Sequence, residues 1–265
     1  MGNTAFSELE ESNQQAIEAW KAFARGAPKG DIRVNPGVTV VFCNVALPFL
    51  NMAFLSNPVR DLADLDTRIA TTIDYASKAG FPWMFFLCND WIPESIQSSQ
   101  HDVFARHGLH PTMNFTGMVT DTLVPPSKAP LLEYRRVMDE ATRCAISDVN
   151  CLAYQIPIEM GRESITQQMF DSSVFAYVGH LTGEAVAVAG TWIVDEIMYV
   201  GMVATMPDHR RKGYAEAVMR HSLEEARKAT GIRRTVLHAT DAGFPVYERM
   251  GYRTVARFTA YMSQH

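Results

Sequence analysis

Apolar residues in the last third of the chain are spaced first as strands and then as a helix. Val174–Leu181 and Glu184–Ile193 are dense apolar runs on either side of Thr182-Gly183, a pair suited to a tight hairpin turn. Ile197–Ala204 follows across Asp195-Glu196, so an antiparallel meander of three strands is expected. The period then lengthens. Ala215, Val218, Met219, Ser222, Leu223 and Ala226 share one helical face, with Glu216/Arg220 and Glu224/Lys228 as pairs four apart outside it, and Gly231 supplies a stop. Thr235–Ala239 reads as a short buried strand, and the helix before it predicts that it runs parallel to Ile197–Ala204. Gly243–Met250 reads as a short helix and Tyr252–Met262 as a final strand or hairpin.

The first half gives a polar helix at Ser7–Arg25, an apolar strand at Val38–Cys43 and a helix at Leu62–Gly80 with Leu65, Ile69, Thr72, Ile73 and Ala76 on one face. An apolar run at Trp83–Cys88, a helix at Glu94–His107 stopped by Gly108, and a strand at Thr112–Leu123 complete it. Three prolines lie within Val124–Pro130, which marks a boundary between domains at 1–124 and 131–265. Beyond it, Leu131–Val137 starts a strand and helical stretches reach Phe170, interrupted at Pro157. Phe104-Ala-Arg-His-Gly-Leu echoes Tyr247-Glu-Arg-Met-Gly-Tyr, which predicts a tandem arrangement of two related halves.

Composition narrows the function classes. The 265 residues, 47% of them hydrophobic, suffice for one large or two modest cores. A net charge of −5 argues against a general nucleic-acid binder, since phosphate neutralisation needs surplus Lys and Arg. No apolar run is long enough to cross a bilayer, and the N-terminal stretch is polar and acidic, unlike a signal peptide. Phe6 occupies the slot where a myristoylation motif after Met1-Gly2 needs Ser or Thr, so a cytoplasmic protein without a membrane partner is expected. Cys43, Cys88, Cys144 and Cys151 lack C-x-x-C or Cys/His spacing, and His101, His107 and His110 suggest no ligand set, so reduced thiols and no metal are expected. Phe81, Trp83, Phe85 and Phe86 read as core, and the fourteen methionines as adaptable packing.

The stretch Met202–Ala215, MVATMPDHRRKGYA, holds the candidate chemistry. A strand ends near a proline, and Arg210-x-x-Gly213-x-Ala215 opens the helix, whose unpaired N–H groups and positive dipole end suit a pyrophosphate. Gly213 allows close backbone approach, Ala215 is nearly as small, and His209, Arg210, Arg211 and Lys212 make the neighbourhood positive. The spacing is neither Gly-x-Gly-x-x-Gly nor a P-loop.

It resembles the coenzyme-A loop of the GNAT acyltransferase superfamily, Arg/Gln-x-x-Gly-x-Gly/Ala. The resemblance continues through Leu237-His-Ala-Thr-Asp and Val246-Tyr-Glu-Arg-Met-Gly-Tyr252, giving three blocks in the family's order over about fifty residues. It implies an α/β (α+β) fold of tandem GNAT-like mixed sheets, with a splayed parallel strand pair in the C-terminal half. The first half lacks the loop, so only the second is expected to hold acetyl-CoA or another acyl-CoA.

The resemblance also implies roles. The backbone of Arg211–Ala215, including Lys212 and Tyr214, would hold pyrophosphate, and the strand edge at Met202, Val203 and Thr205 would hold pantetheine. An N–H near Val203 would polarise the thioester, and Tyr247 would protonate the departing thiolate. The base is open: His238 titrates near neutrality but is equally a core histidine or a water anchor, and Glu196 opens the strand but suits a solvated turn. Asp241 is a candidate helix cap. The implied activity is N-acylation of a small-molecule amine by direct transfer in a ternary complex. Rival readings are a non-catalytic acyl-CoA sensor and an aminoacyl-tRNA-dependent transferase, the latter disfavoured by the acidic charge.

Overall fold

The computed structural model describes residues 7–127 and 130–263; the expectation about the myristoylation slot and part of the proline-rich boundary lie outside them. In the first half, α1 (Glu8–Gly26) starts with a capping box, in which Ser7 Oγ accepts from the Glu10 amide at 3.3 Å and Glu10 answers the Ser7 amide at 2.8 Å. The antiparallel strands β1 (Asp31–Asn35), β2 (Val38–Phe42) and β3 (Asn51–Leu55) follow. After α2 (Leu62–Ala79) comes β4 (Met84–Cys88), parallel to β3 from Met52↔Met84 to Phe54↔Phe86. A 3₁₀ segment, Glu94–Ser99, precedes α3 (Gln100–Arg106), so the helix expected from residue 94 is confined to its second part, and β5 (Leu109–Thr120) follows.

The second half runs β6 (Glu133–Arg136), α4 (Glu140–Tyr154), α5 (Ile158–Ser164), β7 (Val174–Leu181), β8 (Glu184–Val194) and β9 (Ile197–Thr205). Then come α6 (Tyr214–Thr230), β10 (Thr235–Thr240) and α7 (Phe244–Arg249). β7, β8 and β9 are antiparallel neighbours, and β10 runs parallel to β9 from Thr235↔Met198 to Leu237↔Val200. The sequence β1-β2-β3-α2-β4 therefore recurs as β7-β8-β9-α6-β10: three antiparallel strands, a helix and a parallel strand. Val218, Met219, Leu223 and Ala226 are buried along α6, as its apolar face requires.

The final strand, β11 (Arg253–Ser263), departs from the expected division at 124 and 131. It lies antiparallel to β4, from Phe258↔Cys88 to Tyr261↔Phe85. Residues 7–118, 238–245 and 254–263 consequently form one compact unit, and residues 119–237 and 246–253 the other. The core of the first unit explains the assignment. Phe258 stacks on Phe86 at 4.8 Å, and Tyr261 on Phe104 at 3.8 Å, so β11 fills the gap beside β4. Phe85 and Phe86 are buried as expected, whereas Phe81 and Trp83 are half-buried at the mouth of that core.

Candidate functional site

In the second unit, the β8–β9 ladder slips by one residue. Gly190 faces Gly201 and Val188 faces Ala204, so Met202 and Val203 together oppose Ala189. Met202 takes φ +51°, and this β-bulge turns the strand's N–H and C=O groups away from the regular ladder. The β10 ladder ends at Val200, so from Gly201 onward β9 leaves its parallel neighbour. Met202, Val203 and Thr205, the expected pantetheine edge, are all half-buried there. Asn150 Nδ2 of α4 donates to the Ile146 carbonyl at 2.8 Å and reaches the Met202 carbonyl at 3.5 Å.

Past the bulge the chain makes a 3₁₀ turn at Pro207–His209, and Arg211 takes φ +62°. Gly213, at φ +81°, is the N-cap of α6 and supplies no side-chain cap. The first helical bond runs from the Ala217 amide to the Gly213 carbonyl, leaving the amides of Arg211–Glu216, Tyr214 and Ala215 included, without a partner among the described residues. A Cβ built at Gly213 would touch nothing within 4 Å. The glycine is thus required here by the sign of φ rather than by an existing close approach.

The basic side chains divide in role. Arg210 Nη2 donates to the Ala153 carbonyl at 2.7 Å, tying the loop to the end of α4 instead of facing an anion. Lys212 Nζ donates to the Asp208 carbonyl at 3.2 Å, and Arg211 is exposed.

Tyr247 projects from α7, with its ring 6.0 Å from that of Tyr252. Burial raises its phenol pKa well above the ordinary value, and the neighbouring phenols of Tyr154, Tyr252 and Tyr199 add to the shift. The group is therefore a neutral donor at physiological pH. Tyr199 lies on β9 and Tyr154 at the end of α4, so Tyr247, the bulged strand and the arginine-tethered loop belong to one neighbourhood. Asn150, Ala153 and Tyr154 had no role in the sequence reading; their only signal was the i, i+3, i+4 spacing that places them on one helical face.

The two base candidates have surroundings of their own. His238 belongs to the first unit, where Nε2 is 3.3 Å from Ser12 Oγ and the ring stands edge-on to Phe258 at 4.7 Å and Phe86 at 5.5 Å. Burial pushes its pKa down to about 3, making the imidazole a weak proton acceptor. Glu196, at φ +60°, and Asp195, at φ +48°, form the exposed hairpin turn before β9, about 20 Å along the strand from Met202. The structure does not bring Glu196 together with the loop. Nor does Asp241 cap α7, because the turn before it is closed by the Gly243 amide on the Thr240 carbonyl and hydroxyl.

The corresponding strand-to-helix turn of the first unit is filled. Asp61 caps α2 by accepting from the Asp64 amide at 2.8 Å. Arg68 is buried beneath it, donating to the carbonyls of Gly37, Asn57 and Pro58 and to Asp64. Asp64 is held well below the carboxylate range by hydrogen bonds from Arg60 and Arg68, which outweigh its burial. A helix N-terminus that already carries carboxylates is a poor seat for a phosphate. Among the described residues no group of three or more His, Cys, Asp or Glu is placed to hold a metal ion, and no helix is long and apolar enough to cross a membrane.

A family model described as the acetyltransferase (GNAT) family matches residues 136–252. No curated protein matches the sequence. Among solved structures, a GCN5-related N-acetyltransferase from Kribbella flavida aligns over 98% of this chain and 97% of its own, at 16% identity and a TM-score of 0.72. One from Sphaerobacter thermophilus covers 85% and 76% at 13% identity and a TM-score of 0.58. A tandem GNAT protein from the clavulanic acid biosynthesis pathway covers 96% of each chain at 11% identity and a TM-score of 0.54. At these identities the solved structures speak to the fold, and the family model speaks to the segment that holds the bulge, the loop and Tyr247. Residues 136–252 thus match the acetyltransferase (GNAT) family model, and the chain as a whole is similar in fold to solved GCN5-related N-acetyltransferases.

Proposed function

We propose that this chain is an N-acyltransferase that moves an acyl group, most simply acetyl, from acyl-coenzyme A to the amine of a small molecule in a ternary complex. The observation that carries the reading is the meeting, in one unit, of a bulged strand, an uncapped helix N-terminus and a neutral phenol. The partnerless amides of Arg211–Ala215 fit a pyrophosphate, and the edge of β9 from Met202 to Thr205 fits an amide-bearing chain. Bound acyl-coenzyme A supplies the activated thioester. An N–H near Val203 would polarise its carbonyl, and Tyr247 would give its proton to the leaving sulfur. Arg210 acts as a positioning residue through the Ala153 carbonyl.

His238 and Glu196 are assigned no proton transfer, and an incoming amine would lose its proton to water. One coenzyme per chain is expected, because Asp61 and Arg68 fill the other turn. A cytoplasmic setting accords with free thiols at all four cysteines.

Calorimetry with acetyl-CoA, paired with turnover on a panel of amines, tests the reading. One heat per chain and acetylation of at least one amine are expected, and Tyr247→Phe should lower kcat by about 10²–10⁴ while sparing coenzyme affinity. No heat on folded protein would overturn the proposal. Binding without transfer to any amine would leave the sensor reading, and an unchanged single-turnover rate in Tyr247→Phe would remove that phenol from the chemistry.

A further inference from the structure

The second unit has an open sheet edge. β6 pairs with β7 from Glu133↔His180 to Arg136↔Tyr177, and with no other strand among the described residues. The Val137 amide extends this ladder by donating to the Ala176 carbonyl at 2.8 Å. Hydrogen bonding alternates along a strand, so Glu133 and Arg135 also bond inward, and the N–H and C=O groups of Leu132, Tyr134 and Arg136 point away from β7. Such a row is a template for another strand.

Exposed apolar side chains flank this edge: Leu131 is 93% exposed and Met138 71%. Along the strand the side chains alternate. Leu132 and Tyr134 face α6, where a Cβ at Gly179 would meet both Leu132 Cδ1 and Val218 Cγ2, and where the Tyr134 ring stacks on His221 at 4.1 Å. Leu131, Glu133 and Arg135 share the opposite face, and all three are exposed. Glu133 and Arg135 form an ion pair at 2.7 Å, a surface contact worth little in water and exchanged at little cost.

We infer that this edge pairs with the same edge of a second copy of the chain, antiparallel about a two-fold axis at Tyr134. Residues opposite one another in an antiparallel pair share a face, so a two-fold axis perpendicular to the sheet matches odd positions with odd and even with even. Centred on Tyr134, the axis sets Glu133 against the second copy's Arg135, and Arg135 against its Glu133. It also matches the outward backbone groups of Leu132 with those of Arg136, and it brings Leu131 opposite Val137. An axis at Glu133 or Arg135 would instead oppose like charges. Charged side chains protect many edge strands by such repulsion, but Glu133-Tyr-Arg135 is complementary to itself. A strand of four residues makes a small contact, so the dimer is reversible.

Sedimentation equilibrium of the full chain without coenzyme provides the test. The parent should pass reversibly from monomer to dimer as its concentration rises about a hundredfold through the micromolar range. Arg135→Glu sets carboxylate against carboxylate and should weaken association by about tenfold or more, as should Glu133→Arg with its opposed guanidiniums. Mixed in equal amounts, the two variants should associate as the parent does, because each supplies the charge that the other lacks. Misfolding could not produce that recovery. A parent that stays monomeric, a parent dimer indifferent to either substitution, or single variants that fail to associate on mixing would each overturn the interface.

Discussion

An imidazole edge-on to two phenyl rings resists protonation, and at His238 this couples folding to pH. Its pKa falls from the ordinary 6.5 to about 3 on folding. Above pH 6.5 the ring is neutral in both states and contributes nothing to the pH dependence. Between about 6.5 and 3 the unfolded chain binds a proton that the folded chain refuses, so stability falls as the solution is acidified. His238→Gln keeps a polar group beside Ser12 and does not titrate. Denaturant unfolding at pH 7 and pH 5 should show a smaller loss in the variant than in the parent, and equal losses would mean that His238 is not buried neutral. At Arg210, by contrast, a residue expected to face an anion is committed to the Ala153 carbonyl. Nothing in Arg-x-x-Gly-x-Ala distinguishes an arginine that binds phosphate from one that braces a loop, because both need the same charge and reach.

Among the elements, the meander and α6 were legible because their turns carry their own chemistry. Thr182-Gly183 at φ +50° and +90° and Asp195-Glu196 at φ +48° and +60° fall where the strand pattern breaks. The bulge was not legible. Its two-against-one count depends on the register of β9 against β8, and neither strand alone reveals it. β3 was missed because its five residues are all buried and give no alternation, and β1 because it is a short, largely exposed strand with little apolar pattern.

At the junction of loop and helix, Gly213 supports a further expectation. Its φ of +81° excludes a β-branched side chain at low cost, while the space around it is open. Gly213→Val should lose about 1–2 kcal/mol of stability and bind acetyl-CoA roughly tenfold more weakly, whereas Gly213→Asn, which tolerates the left-handed region, should lose less of both. Melting curves and coenzyme titration of the two variants check the ordering, and equal behaviour would show that the loop does not depend on this backbone conformation.

For the whole molecule, the partner of the last strand was not readable, since pairing across some 170 residues leaves no local trace. Phe258, Ala260 and Tyr261 are fully buried against the first unit. A chain ending at Arg253 would lose these contacts and bare the edge of β4, at a cost of at least about 5 kcal/mol from the two aromatic rings alone. Such a chain should bind a hydrophobic dye and lose near-ultraviolet dichroism, and native-like signals would show that β11 is dispensable.

The position of β11 also sets a timetable for biogenesis. Translation at about 5–20 residues per second separates the emergence of β5 from that of β11 by on the order of ten seconds. During that interval the nascent first unit is an open sheet, and holdase chaperones would have their window to act.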